Sequence, residues 1–406
     1  MLSKLKKSRI VKKIVRLLSF LLGFLPASKK LIIFESYLGR QYACNPKAIY
    51  EYMCEHYSDY TMYWSVQSKY LKNFEGTGTN TVRRYSVKWF FLMARARFWV
   101  SNTRMTLVIP KPRHTTYVQT WHGTPLKKLA LDMQEVHMPK TTTEKYKKNF
   151  SKESSRWDYL ISANEYSSEI FKRAFGFEKE MLEYGYPRND VLYKGNRAEN
   201  ISNIKERLGI APHKKVILYA PTWRDNQYYS VGHYKLDLAL DLAKLQEMYS
   251  EKYVIVLRMH YIVSESFDLQ PYEGFVYDFS NKEDISDLYL ISDLLITDYS
   301  SVFFDYANLQ RPIMFYTYDI EEYANVLRGF YFDLEKEAPG PLVKNMDELL
   351  EMLDEFDRHQ EFLAYREKYS DFYNKFCYLE DGNATRNVVE HVFLESKLKR
   401  TSYDMG

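Results

Sequence analysis

Short apolar runs, each closed by polar or glycine-bearing residues and followed by a helical pattern, alternate along this chain, and the alternation runs through twice. In the first half, Leu31–Ser36, Thr61–Val66, Phe98–Ser101, Tyr117–Trp121, Tyr159–Ser162 and Met181–Tyr184 read as strands. Helices are expected at Lys47–His56, Ser86–Arg97 and Ser167–Ala174. A polar stretch, Lys194–Lys205, reads as a domain boundary. Beyond it strands are expected at Val216–Tyr219, Tyr253–Leu257, Val276–Asp278, Leu294–Thr297 and Ile313–Tyr316. Helices follow at Asp237–Tyr249, Ile285–Ile291, Phe303–Leu309, Leu349–Phe356 and Glu361–Lys368. Strands separated by helices pair in parallel through crossovers, so the pattern predicts an α/β chain of two doubly wound, Rossmann-like domains. The expected division is 1–26, 27–200, 201–375 and 376–406, the last a helix (about Asn383–Lys399) returning to the first domain.

The arm at 1–26 is distinct in charge. Lys4, Lys6, Lys7, Arg9, Lys12, Lys13 and Arg16 are its seven basic residues, with no acidic one up to Arg16. Taking them from the net charge of +4 leaves the remainder at −3, so the chain is no general nucleic-acid binder. Leu2, Leu5, Ile10, Val11, Ile14, Val15, Leu17, Leu18, Leu21 and Leu22 give an apolar face at near-helical spacing. A spanning helix needs about 20 apolar residues, and Leu17–Leu25 falls well short. Pro26-Ala27-Ser28-Lys29-Lys30 is a poor cleavage site for a secretory signal. A helix lying in the headgroup plane of an anionic membrane is the reading taken, ahead of a signal anchor and of a soluble helix. It places the protein peripherally on the cytoplasmic face of the cell membrane.

Composition adds two constraints. Cys44, Cys54 and Cys377 are too few and too far apart for a zinc site or a disulfide framework, and fit a reducing compartment. The chain has 37 Tyr and 24 Phe, which suits a lipid- or sugar-facing surface and equally a habit of the source genome.

In doubly wound domains ligands bind beyond the carboxyl ends of the strands. Here those ends carry His122-Gly123-Thr124-Pro125, Gly185-Tyr186-Pro187-Arg188-Asn189-Asp190, Ala220-Pro221-Thr222-Trp223, Arg258-Met259-His260 and Thr297-Asp298-Tyr299-Ser300-Ser301. A histidine at such a place suits proton transfer near neutral pH. Arg258 beside His260 suits an anion, and Ser300 and Ser301 ahead of a helix suit a phosphate. Asp305, one turn on, can orient a loop or a ribose hydroxyl. Singly, each also reads as a strand-end cap, a surface ion pair or a chain reversal. No phosphate-binding glycine loop, dinucleotide-binding turn, D-x-D pair or nucleophile elbow is present, so no cofactor and no metal site are assigned.

Gln119-Thr120-Trp121-His122-Gly123-Thr124-Pro125-Leu126-Lys127, GYPRND, Tyr219–Arg224, Arg258–His260, Leu295–Ser301 and Arg328-Gly329-Phe330-Tyr331 together resemble the CDP-glycerol glycerophosphotransferase family of teichoic acid synthesis. The resemblance runs from about Ile32 into the 370s and keeps the family's motif order. It implies a GT-B fold, two Rossmann-like domains around a cleft. It implies a CDP-glycerol or CDP-ribitol donor and an acceptor saccharide carried on undecaprenyl diphosphate. His122 is then the expected base and His260 the partner of the leaving phosphate. Arg258, Pro221, Thr222 and Asp298–Ser301 would hold the donor, with Gly123, Thr124, Arg188, Asp305 and Arg328 nearby. No large domain precedes the catalytic unit, which tilts the expectation towards a primase-like enzyme; a homo-oligomer is compatible with the sequence. A GT-B hexosyltransferase using a nucleotide sugar and a non-catalytic scaffold are the rival readings.

Overall fold

The computed structural model describes residues 9–136, 141–222, 228–230, 233–234, 238–259, 268–280, 283–320, 329–331 and 333–394. His260, Arg328, Trp223, Arg224 and the start of the N-terminal arm lie outside the described residues. The chain divides into two compact units. One gathers the described residues of Met1–His122, Leu129–Arg188 and Asn383–Gly406; the other gathers those of Gly123–Lys128 and Asn189–Gly382.

Unit 1 runs through α1 (Arg9–Leu22), β1 (Ser28–Glu35), α2 (Cys44–His56), β2 (Thr61–Val66), β3 (Thr81–Arg83), α3 (Val87–Arg95), β4 (Ala96–Ser101) and β5 (Thr116–Gln119). It continues with α4 (Thr143–Ser154), β6 (Tyr159–Ser162), α5 (Glu165–Phe175) and β7 (Glu180–Glu183). Its seven strands form one parallel sheet in the order β3-β2-β1-β4-β5-β6-β7. The strands expected from the sequence are present, within a few residues at their ends. Helix α4 and the short strand β3 were not foreseen. The helix buries only Phe150, Glu153 and Ser154, too few apolar positions to set a period.

Unit 2 holds α6 (Asp190–Lys194), α7 (Ala198–Arg207), β8 (Lys215–Ala220), β9 (Tyr228–Ser230), β10 (His233–Tyr234), α8 (Leu242–Tyr249), β11 (Tyr253–Leu257) and β12 (Val276–Asp278). Then come α9 (Ile285–Ile291), β13 (Leu294–Thr297), α10 (Val302–Tyr306), β14 (Ile313–Tyr316), α11 (Leu334–Glu337), β15 (Leu342–Val343), α12 (Met346–His359) and α13 (Arg366–Phe376). Six strands pair in parallel in the order β12-β11-β8-β13-β14-β15; β9 and β10 form a separate antiparallel ribbon. The polar stretch Lys194–Lys205 holds most of α7; its polarity is one solvated helix face, while Ile204 is buried. The change of unit falls earlier, between Arg188 and Asn189, and the return falls between Gly382 and Asn383.

Each sheet has its core on apolar strand positions. In unit 1 Ile32, Phe34, Trp64, Phe98, Val118 and Ile161 pack with Val388, Val389, Val392 and Phe393 from α14 (Ala384–Val389) and the π-helical segment that continues it. Tyr60 donates to the Phe393 carbonyl at 3.2 Å, which ties this C-terminal segment to the first sheet. In unit 2 Ile217, Ile255, Leu257, Leu294, Ile296 and Met314 pack with Leu245 of α8 and Leu349, Leu353 and Phe356 of α12. Side-chain caps set several helix starts: Ser86 accepts from Trp89 N, Asn164 from Ser167 N and Asp241 from Lys244 N. The Asp241 cap explains why α8 begins at Leu242, later than the periodicity suggested.

Candidate active site

In both sheets the strand order reverses once: between β1 and β4 in unit 1, and between β8 and β13 in unit 2. Loops leaving two neighbouring strands in opposite directions open a crevice there, where doubly wound folds take their ligands.

His122 belongs to the unit 1 switch point. Strand β5 stops at Gln119, two residues sooner than expected, because Trp121 turns left-handed (φ 49°). Gly123, two residues further on, has φ 158°. The turn brings His122 Nδ1 to 2.7 Å from the carbonyl of Asn102, the residue after β4. A carbonyl only accepts, so Nδ1 carries the proton and the neutral ring keeps its lone pair on Nε2. The Asn102 side chain spans the switch point: its Oδ1 accepts from Tyr37 N at 2.9 Å and its Nδ2 donates to Ser36 Oγ at 3.1 Å, both just past β1. Asn45, fully buried at the start of α2, donates to the carbonyls of Thr120 (3.0 Å) and Trp121 (3.2 Å). Its Oδ1 accepts from Arg188 N at 3.1 Å, so one amide ties the His122 turn to the GYPRND turn. Arg188 also donates to Cys44 Sγ at 3.2 Å and lies over the Tyr186 ring. The ring of Trp121 covers His122, with centroids 4.5 Å apart, and the Tyr37 ring stands at 6.0 Å. Burial pushes the His122 pKa down to about 4; the Asn102 carbonyl works against that shift and the Arg188 charge adds to it.

The strand-end residues of unit 2 assemble around its own switch point. Asp298 Oδ1 accepts from Thr222 N at 2.8 Å, and Thr297 donates to the Ala220 carbonyl at 2.7 Å, locking the ends of β8 and β13 together. Pro221, just after β8, is buried, and Thr222 is partly open. Arg258 follows β11, where its backbone N bonds the Tyr219 carbonyl and its guanidinium donates to the Phe279 carbonyl at 2.6 Å. Tyr299 is buried and donates to Asp319 at 3.1 Å. Ser300 and Ser301 are partly exposed at the start of α10, and Ser301 makes no side-chain cap bond. Gly123–Lys128 also belongs to this unit, where Thr124 is buried. Leu126 and Lys128 pair with Tyr331 and Gly329 through their backbones, and the Phe330 ring lies 5.9 Å from Tyr299. The second half of the HGTPLK string, the GFY string and the DYSS loop thus pack together within unit 2. Asp305 sits apart from it: it accepts from Asn189 at 3.3 Å, and the same amide donates to Glu380.

Asn45 and Asn102 were not singled out from the sequence. An asparagine after a strand or ahead of a proline signals a turn, and only the fold shows both amides converging on one histidine turn. Among the described residues no three His, Cys, Asp or Glu side chains gather as a metal site would require.

Two Rossmann-like sheets in one chain, each with polar residues gathered at its switch point, define the GT-B class of transferase folds. The chain belongs to the CDP-glycerol:poly(glycerophosphate) glycerophosphotransferase family, whose model matches residues 17–394. It is 56% identical over 398 residues to the teichoic acid poly(glycerol phosphate) polymerase of Bacillus subtilis, covering 97% of this chain and 53% of that protein. Against the polymerase of the same description from Bacillus spizizenii it is 54% identical, covering 95% of this chain and 99% of the relative. The chain thus spans about half the length of the first relative and nearly all of the second. A solved structure of the wall teichoic acid polymerase TagF, a histidine-to-asparagine variant soaked with CDPG, superposes with a TM-score of 0.88 at 44% identity, covering 95% of each chain.

Proposed function

We propose that this chain transfers glycerol phosphate from CDP-glycerol to the end of a growing teichoic acid chain on a lipid-linked acceptor, releasing CMP. One observation carries the reading: His122 is pinned at a switch point as a neutral ring with Nε2 unprotonated. The terminal hydroxyl of the acceptor attacks the β-phosphorus, the new O–P bond forms as the bond to CMP breaks, and His122 Nε2 takes the hydroxyl proton. A pKa near 4 makes a weak base, but the charge of a bound diphosphate raises it when the substrate is present. Arg258, Thr222, Ser300 and Ser301 hold the donor's phosphates, and His260 with Arg258 meets the charge left on CMP. Positioning and charge neutralisation supply most of the catalysis, and no covalent enzyme intermediate is needed.

The relatives named above are polymerases of glycerol phosphate, one matched over nearly its whole length. They support repeated addition over the primase-like expectation, and glycerol over ribitol. The test is product mass analysis with a defined lipid-linked acceptor and CDP-glycerol, CDP-ribitol or UDP-sugars in separate reactions. CMP release with a ladder of glycerol phosphate additions is expected; turnover of UDP-sugars alone sinks the reading.

The same proposal places the enzyme on the cytoplasmic membrane surface. No helix among the described residues is long and apolar enough to cross a membrane. Helix α1 exposes Ile14, Leu17, Leu18 and Leu21 at spacings of three and four residues, with Phe20 and Phe24 beside them and Lys13 and Arg16 exposed. That is the pattern of an interfacial helix. Deleting residues 1–26 is expected to release the protein from anionic vesicles, and high salt to weaken its binding. Retention under both conditions defeats the assignment.

A further inference from the structure

Helix α4 carries more positive charge than its packing explains. Lys145, Lys148 and Lys152 are all exposed, and steps of three and four residues put them on one face, neighbours about 5–6 Å apart. Among the described residues none of the three has an ion-pair partner. The two acidic residues of the helix do not neutralise the stripe. Glu144 is held by the helix-start backbone, by Thr142 and by Lys147, and Glu153 is buried against Tyr117 and Trp157. The buried face, Phe150 with Tyr146 beside it, packs on Phe175 and on the guanidinium of Arg104, which lies 4.6 Å from the Phe150 ring centroid and 5.0 Å from that of Tyr146. Arg104 follows two residues after Asn102, the His122 partner.

The topology gives the stripe a direction. Helix α4 crosses back between the parallel strands β5 and β6, so it runs antiparallel to them. Its first turn, with Lys145, therefore lies at the carboxyl edge of the sheet, the edge that carries His122. Lys152 lies about 10 Å further along the helix axis, away from that edge.

We propose that Arg104 and the Lys145–Lys148–Lys152 stripe form a binding track for the polyanionic product, taking successive phosphodiesters of a growing poly(glycerol phosphate) chain as they leave the His122 edge. The inference rests on the polymerase reading above. Regularly spaced point charges on flexible stems suit a mobile, repeating anion better than a single rigid one. A track of this kind retains the chain between additions and so favours extension over release.

The test compares the wild-type protein with a K145Q/K148Q/K152Q triple variant and, separately, with R104Q. With a one-unit lipid-linked acceptor and CDP-glycerol, the ratio of chain extension to first addition should fall at least about fivefold in the triple variant, and the mean product length with it. Direct binding of a synthetic glycerol phosphate oligomer should weaken, and its salt dependence should flatten as fewer charges take part. Unchanged product length together with unchanged oligomer binding overturns the track. Normal product length with lost binding to anionic vesicles overturns it too, and assigns the stripe to lipid headgroups. If wild-type protein turns over no CDP-glycerol, the polymerase reading falls, and the oligomer-binding arm still decides whether the stripe recognises a polyphosphodiester.

Discussion

At the scale of single residues, the chemistry proposed for this chain depends on one imidazole kept neutral. Replacing His122 with Ala should lower turnover by about 10²–10⁴-fold, the usual worth of a positioned base, with the far-UV circular dichroism unchanged. The same burial makes His122 a weak point in acid. The unfolded chain protonates it at its ordinary 6.5, the folded chain only at about 4. Between those values the unfolded state binds more protons, so this group's contribution lowers stability as pH falls from 6.5 to 4 and is flat above. A His122→Gln variant should lose that part of the acid sensitivity, narrowing the stability difference between pH 7 and pH 4.5 by about 1–3 kcal/mol, read from urea unfolding at the two pH values. An unaltered pH profile would show that the ring is solvated. Asn102 is the neighbouring test. Asn102→Ala leaves the backbone N–H of Tyr37 without its acceptor, at a cost of about 1–3 kcal/mol. It should also lower kcat more than it raises KM, because the loop against which His122 is seated loosens.

At the scale of elements, the loop after β1 shows how the switch point is held open. Tyr37, Leu38 and Gly39 are left-handed in succession, at φ 46°, 62° and 78°. The carbonyl of Leu38 is fixed by Gln67 Nε2 at 2.8 Å and by Arg84 at 2.9 Å, and Gln67 N donates to the Gly39 carbonyl. Arg84 in turn stands 3.3 Å from Glu35, both side chains nearly fully buried, and Ser65 donates to the same carboxylate. A Cβ on Gly39 would come within 2.6 Å of the Ser65 carbonyl oxygen. Gly39→Ala is therefore expected to cost about 1–3 kcal/mol or more from backbone strain and the clash together, visible as a lowered denaturation midpoint. A midpoint within error of wild type would mean that the loop relaxes freely. Removing only one partner of the buried pair, as in Arg84→Met, strands the Glu35 charge and should cost about 3–5 kcal/mol.

At the scale of the whole molecule, the first sheet is completed by the far end of the chain. Val388, Val389, Val392 and Phe393 are at most 1% exposed and pack on Phe34, Phe98 and Tyr60 across most of the sequence. Four such side chains, at about 1.5–3 kcal/mol each, are comparable to the entire net stability of a typical domain. A chain ending at Gly382 should therefore fail to give a cooperative unfolding transition for unit 1, while Phe393→Ala alone should cost about 3–5 kcal/mol and leave the fold intact. Undiminished cooperativity in the shortened chain would show that the helix only decorates the sheet.

The alternation of strands and helices, the parallel class of both sheets, the family, and the strand ends where ligand-type residues collect are all legible along the chain. Local periodicity and turn chemistry carry all of these. Helix α4, whose few buried positions set no period, is not legible there, nor is α7, because a solvated helix looks like a linker when only polarity is read. The three-dimensional packing is what brings Asn45 and Asn102 onto the His122 turn from separate elements. It also decided that the half-buried imidazole is desolvated enough to stay neutral, and that the string after His122 joins the other unit and pairs with Gly329–Tyr331. Those outcomes depend on which distant backbone groups meet in space. Hydrogen-bond direction and desolvation arise only after that meeting, so no reading of neighbours along the chain contains them.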